Sequence, residues 1–334
     1  MSMKIISKDS QEAQTVIERW PIKPPEICCM TCPDKVSFSV SPEIFPRQGT
    51  VGLRMSQHFY YTSSDGIPAH NHILVLNMPF TTTFCHNIID LLPELLWLDQ
   101  QQEYDLILVP LTEMTKDFID QFKFEFARVK FVEKTFHLRA GKISWYRYII
   151  HQRRYEKISV LREYLMRGLS DNSCCNKMIY CTRNSGGGAT HRRTMIHTNH
   201  REIIDISRQF ANDNNLNFVI FDGRNRDGSR MSLTDQAQLF SQAKIVFGPH
   251  GGAFANIIYI PEKNQCKVCE FTSGLHSAVQ RVSRFGKNYN KLLAYAPETY
   301  LDYFLIPFTV DSTAISGTAI DIENYQEFLD TCLK

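Results

Sequence analysis

From Lys177 onward, short apolar runs alternate with longer stretches whose hydrophobic positions recur at helical spacing. Residues 178–182, 217–222, 244–247, 267–271 and 291–294 read as strands. Residues 202–212 and 278–285, and the segment from the glycine pair Gly251/Gly252 through Ile260, read as helices. Ser232-Leu233-Thr234-Asp235 fits a capping box that opens a further helix running to Ala243. Strands alternating with helices of this length predict a parallel sheet covered on both faces. Residues 321–334 predict one more amphipathic helix.

The first half is less regular. Pro21, Pro24, Pro25, Pro33, Pro42 and Pro46 punctuate its opening. Strands are predicted at 58–62, 73–78, 104–110 and 129–132, and helices at 87–102, 117–126 and 159–168. Within 87–102, Ile88, Leu91, Leu92, Leu95, Leu96 and Leu98 keep a roughly helical spacing. Pro93 interrupts it, so a kink or a helix beginning near Leu92 is expected. The polar stretch Asp171-Asn172-Ser173 follows a glycine stop. The chain therefore divides into 1–172, 173–310 and a tail, 311–334, giving two α/β domains.

Composition narrows the function. With 37 Lys+Arg against 35 Asp+Glu the net charge is +2, too balanced for a nucleic-acid binder. No apolar run is long enough to predict a transmembrane segment, and the N-terminus turns polar after Ile6, without a secretory core. Ten cysteines without a signal segment or a glycosylation sequon point to reduced thiols and a cytoplasmic protein, or one peripheral to a membrane. Cys29/Cys32 and Cys266/Cys269 have zinc-like spacing, but Cys269 falls in a predicted buried strand, where a small apolar filler is expected.

Three stretches carry candidate chemistry. Phe247-Gly248-Pro249-His250-Gly251-Gly252-Ala253-Phe254-Ala255-Asn256 lies where a predicted strand gives way to a helix. There, backbone amides favour an anion such as phosphate, and a plain tight turn is the structural alternative. Arg183-Asn184-Ser185, Gly186-Gly187-Gly188 and His191-Arg192-Arg193 follow another strand, and guanidinium groups match diphosphate oxygens. A solvated basic loop is the alternative there. His86 and Asp90, at i and i+4 of a helix, make a carboxylate–imidazole pair suited to deprotonating a hydroxyl. Glu270, in an apolar strand, needs a partner: two ribose hydroxyls, or an arginine such as Arg281. An esterase reading of His250-Gly251-Gly252-Ala253 lacks its Gly-x-Ser-x-Gly elbow.

Together these stretches resemble glycosyltransferase family 61, which includes plant xylosyltransferases, animal N-acetylglucosaminyltransferases and bacterial polysaccharide enzymes. Gly248, His250, Gly251, Asn256 and Glu270 match the family pattern Gly-x-His-Gly-Ala-Gly-Leu-x-Asn followed by Val-x-Glu. Arg183 with Arg192/Arg193 resembles its arginine-rich loop, and His86–Asp90 with Pro93 its His-x-x-x-Asp-x-x-Pro motif. Gly252-Ala253 replaces the usual Ala-Gly, Lys244 stands where an acid is common, and Glu94 replaces an arginine. The resemblance implies a GT-B fold: two Rossmann-like domains facing across a cleft, with the C-terminal helix crossing back to the first. It implies an inverting transferase with Asp90 or His86 as base. Arg183, Arg192, Arg193, His250, Gly251, Gly252, Asn256 and Glu270 would bind the nucleoside-diphosphate sugar, such as UDP-xylose or UDP-GlcNAc. The acceptor would be a glycan, a lipid-linked intermediate or a protein. No cofactor or metal is expected, since the chain has no Asp-x-Asp. The alternative is a catalytically inactive nucleotide-binding scaffold on the same fold.

Overall fold

The structure, a computed structural model, describes residues 6–7, 26–32, 37–40, 66–76, 82–148, 155–167, 169, 174–182, 199–249, 251–273, 301–310 and 318–333. The chain forms two compact units, Ile22–Tyr164 and Met1–Pro21 with Leu165–Lys334. Strand β1 (Ile6–Ser7) pairs far along the sequence, in the second unit. The elements expected at 58–62, 278–285 and 291–294 lie outside the described residues.

The unit Ile22–Tyr164 is built on strands β2 (Glu26–Thr31), β3 (Ser37–Val40), β4 (Ala69–Val75), β5 (Leu106–Pro110), β6 (Val129–Val132) and β7 (Phe136–Tyr148). Their order is β2-β7-β4-β5-β6, with β3 also on β7. β4, β5, β6 and β7 run parallel, while β2 and β3 lie antiparallel to β7. Consecutive residues of β4 and β5 face opposite sides, as the pleat requires. Ile73, Val75 and Leu108 enter one core with Val132 and Leu138. Leu74, Ile107 and Val109 enter another with Leu91, Leu95 and Leu98 of the covering helix. Burial on both faces is why these strands read as continuous apolar runs.

Several elements differ from expectation, β2 and β3 among them, which were not predicted. The helix predicted at 117–126 is Glu113–Phe122: the Thr112 hydroxyl accepts from the Thr115 amide at 3.1 Å, and Lys123, at φ 53°, ends it in the left-handed region. β7 was not predicted. Its alternation of polar and apolar residues is interrupted at Gly141, where a Cβ would come within 2.9 Å of the Asn71 carbonyl oxygen.

The C-terminal unit holds β8 (Lys177–Cys181), β9 (Asn217–Phe221), β10 (Ala243–Pro249), β11 (Lys267–Ser273), β12 (Asp302–Val310) and β13 (Thr318–Ile320). The order is β1-β12-β11-β10-β8-β9, with β13 on β12. β8 through β12 run parallel, and β1 and β13 pair antiparallel with β12. The strands β8–β12, counted in chain order, thus stand as 2-1-3-4-5, a doubly wound arrangement whose strand order reverses between β8 and β10.

Ser232 caps the helix Leu233–Phe240, its hydroxyl accepting from the Asp235 amide at 3.0 Å, as the capping box predicts. Met178, Tyr180, Ile245, Phe247, Cys269 and Phe271 form one face of the core with Ile203 and Ala211 of the helix His200–Asp213. The last helix, Ile322–Thr331, which the resemblance sends back to the first domain, buries Tyr325, Phe328 and Leu329 in this same core. The molecule is a mixed α/β protein with two parallel-rich sheets.

Candidate functional site

In a doubly wound sheet, ligands collect at the carboxyl ends of the strands that flank the reversal of order. Here those ends are Cys181, which leads into the arginine-rich loop, and Pro249, which leads into the glycine turn. The strands that precede the two motifs are thus parallel neighbours ending at the same edge of one sheet. Arg183, Arg192, Arg193 and His250 lie outside the described residues.

The two strands approach closely at Gly248. Its φ of +143° is a glycine conformation, and a Cβ there would sit 2.3 Å from the Cys181 carbonyl oxygen. Gly251 is fully extended, and Gly252 begins a helix through Tyr259 that is wound as 3₁₀, not as the expected α-helix. The Phe254 amide bonds the Gly251 carbonyl at 3.1 Å, closing the first turn, and the amides at a helix start are the groups that receive anions.

Asn256 and Glu270 lie beneath this turn. Asn256 is wholly buried; its amide donates to the Ala253 carbonyl at 3.0 Å and to Gln236 Oε1 at 3.4 Å. Its Oδ1 has no hydrogen-bond partner among the described residues. Glu270 pairs in register with Gly248 and is 2% exposed. Its Oε2 accepts from the Tyr303 hydroxyl at 2.6 Å, while Arg281 lies outside the described residues. Sequence reasoning missed Tyr303, because its strand, β12, was not recognised.

The ends of the arginine-rich loop are tied to the sheet. Tyr180 Oη and His200 Nδ1 stand 2.8 Å apart, and the Tyr180 hydroxyl also bonds the Thr182 side chain. Burial holds the His200 imidazole below its usual pKa, in the neutral form. Asn199 grips β13 from both sides: its Nδ2 donates to the Ile320 carbonyl at 2.7 Å, and its Oδ1 accepts from the Ile320 amide at 3.0 Å.

The other candidate chemistry belongs to the unit Ile22–Tyr164. A short α-turn, Phe84–His86, passes into a π-turn, Asn87–Leu91, and then into the α-helix Leu92–Gln100. Pro93 is the cause that the sequence supplies. It has no N–H to give, and in an unbroken α-helix its ring would meet the carbonyl of Ile89. The widened turn, in which the Leu92 amide bonds the Asn87 carbonyl, relieves both. His86 Nδ1 lies 2.5 Å from Asp90 Oδ2, so the expected pair is formed. A carboxylate bonded to an imidazole can accept a hydroxyl proton, with the charge shared between the two.

The departures at Glu94 and Lys244 have local explanations. Glu94, 5% exposed, is paired at 2.6 Å with Lys157 of the helix Tyr155–Met166, and the Lys157 ammonium also lies 5.3 Å from the centre of the Trp97 ring. A buried carboxylate requires such a partner. Lys244 donates to the Asn264 carbonyl at 3.2 Å. Cys266 and Cys269 are fully buried with their thiols pushed well up by desolvation, as apolar fillers would be. Among the described residues no group of three or more His, Cys, Asp or Glu is placed to hold a metal ion.

The family model for Glycosyltransferase 61 matches residues 84–269, more than half of the chain. That span begins two residues before His86 and ends one residue before Glu270. No curated protein matches the chain. The chain belongs to the glycosyltransferase 61 family.

Proposed function

We propose that the chain is an inverting, metal-independent glycosyltransferase of GT-B design that uses a nucleoside-diphosphate sugar, UDP-linked in the first instance. Its donor half would be the reversal point of the C-terminal sheet. Arg183, Arg192 and Arg193, with His250 and the amides at Gly251 and Gly252, would neutralise the diphosphate. Asn256 would brace the turn, and Glu270 would take the ribose hydroxyls. Its acceptor half would be His86 and Asp90.

Asp90 takes the proton of an acceptor hydroxyl as that oxygen attacks the anomeric carbon. The bond from that carbon to the diphosphate breaks, and the nucleoside diphosphate leaves with the electron pair. His86, bonded to Asp90, orients the carboxylate and shares the positive charge of the transferred proton. One displacement inverts the anomeric centre. The acceptor would be a glycan, a lipid-linked intermediate or a protein in the cytoplasm or at its membrane face.

The observation that carries this reading is the preformed His86–Asp90 contact in a chain of this family. The test is thermal unfolding with UDP-, GDP-, CMP- and dTDP-sugars, with and without EDTA. A ligand that binds only the native state adds about 2.7 kcal/mol at a hundredfold excess over Kd, a shift of several degrees. The expected result is a shift with UDP-sugars that survives EDTA and disappears in Arg192→Ala or Arg193→Ala. A shift without turnover would favour the inactive nucleotide-binding scaffold, and unchanged unfolding with every nucleotide sugar would overturn the donor site.

A further inference from the structure

We infer that Thr115 is a positioning residue for the His86–Asp90 pair, acting through Asn87; this rests on the proposed role of Asp90 as base. Asn87 is the first residue of the π-turn, and both it and Thr115 are completely buried. The Thr115 hydroxyl donates to Asn87 Oδ1 at 2.8 Å, and Asn87 Nδ2 donates to the Thr83 carbonyl at 3.0 Å. The Thr112 hydroxyl stands 2.8 Å from that of Thr115 and accepts from its amide, fixing the threonine from its own helix start. Phe84 stacked on Phe118, with ring centres 5.6 Å apart, joins the same two segments.

The polar chain Thr112–Thr115–Asn87–Thr83 is half-buried at its two ends and wholly buried at Thr115 and Asn87, where an amide left without partners is costly. It therefore selects the backbone that satisfies it. The turn that begins at Asn87 is one residue wider than an α-turn, the Leu92 amide bonding the Asn87 carbonyl. Downstream, Leu92, Leu95 and Leu96 are buried and fix the rotation of the following helix. Asn87 directly follows His86, so anchoring its side chain fixes the stretch of backbone from which the His86 ring reaches Asp90. Thr115 holds the first residue of the wide turn and thereby the geometry of the pair. It touches neither His86 nor Asp90 in this network.

The test uses the full chain carrying ¹⁵N-histidine, with the His86 ring signals assigned by their loss in His86→Gln. In Thr115→Val those signals should move to the positions found in Asp90→Asn; in Thr115→Ser, which keeps the hydroxyl, they should return. With the nucleotide sugar chosen by the thermal screen, Thr115→Val should lower kcat about ten- to a hundredfold and leave the donor KM unchanged. Thr115→Ala gives the same readings should the valine variant not fold. Ring signals and kcat both at wild-type values in a folded Thr115→Val or Thr115→Ala protein would overturn the inference. Full turnover in Asp90→Asn would overturn it together with the reading of Asp90 as base, whereas a dead Asp90→Asn beside an unaffected Thr115→Val would overturn the inference alone.

Discussion

Gly248 is the residue at which the fold and the candidate donor site depend on the same atom's absence. A methyl group would overlap the Cys181 carbonyl oxygen, and both partners belong to the backbone of a buried parallel sheet, so neither can yield. The φ of +143° adds strain for any L-residue. Gly248→Ala should therefore cost on the order of 2–3 kcal/mol, read from chemical denaturation, and a midpoint at the wild-type value would refute the strain. The glycine could be singled out in the sequence by its place in the strand-end motif. The partners of other site residues could not. Tyr303 lies 33 residues from Glu270, Lys157 lies 63 from Glu94, and Thr115 lies 28 from Asn87. Such pairings are made by the packing of elements, and a single sequence carries no signal of it beyond the need of a buried carboxylate or amide for some partner.

At the scale of elements, the C-terminal half was read closely because its strands are buried on both faces and its helices carry clear starts, as at Ser232 and Asp321. β12 and β7 escaped because one contains Pro307 and the other alternates around Gly141. Of the two outcomes expected at Pro93, a kink or a helix beginning near Leu92, the α-helix does begin at Leu92, while the π-turn before it had no separate signature. Two histidines also set a pH dependence. His72 on β4 bonds Ser144 through Nε2 at 2.8 Å, and His200 begins the helix that returns from the arginine-rich loop. Burial lowers the pKa of both imidazoles. Between its native pKa and the unfolded value of 6.5, each binds fewer protons when folded, so stability rises with pH across that window. The stabilisation is complete above 6.5 and is lost as pH falls below it. The melting temperature should thus decline from pH 7 toward pH 5, and less steeply in His200→Gln. Identical slopes in the two proteins would remove His200 from the account.

At the scale of the whole molecule, the family match spans parts of both compact units. The strand-end motifs belong to one unit and the His86–Asp90 pair to the other, each resting on its own sheet and core. If the two serve one reaction, they must fail in different ways. Asp90→Asn keeps the shape of the side chain and removes the proposed base, so it would leave the proposed partners of the diphosphate untouched. It should retain the full thermal shift with the UDP-sugar while turnover falls about 10²- to 10⁴-fold, the usual share of a positioned general base. Glu270→Gln should instead weaken the thermal shift itself, and more for UDP than for 2′-deoxy-UDP, because only the former offers both ribose hydroxyls. Hydrogen exchange in the presence of donor should then show protection at 251–259 and 177–182 in wild type and Asp90→Asn alike. A loss of donor protection in Asp90→Asn would break this division of labour, since it would make the carboxylate of the first unit part of the nucleotide site.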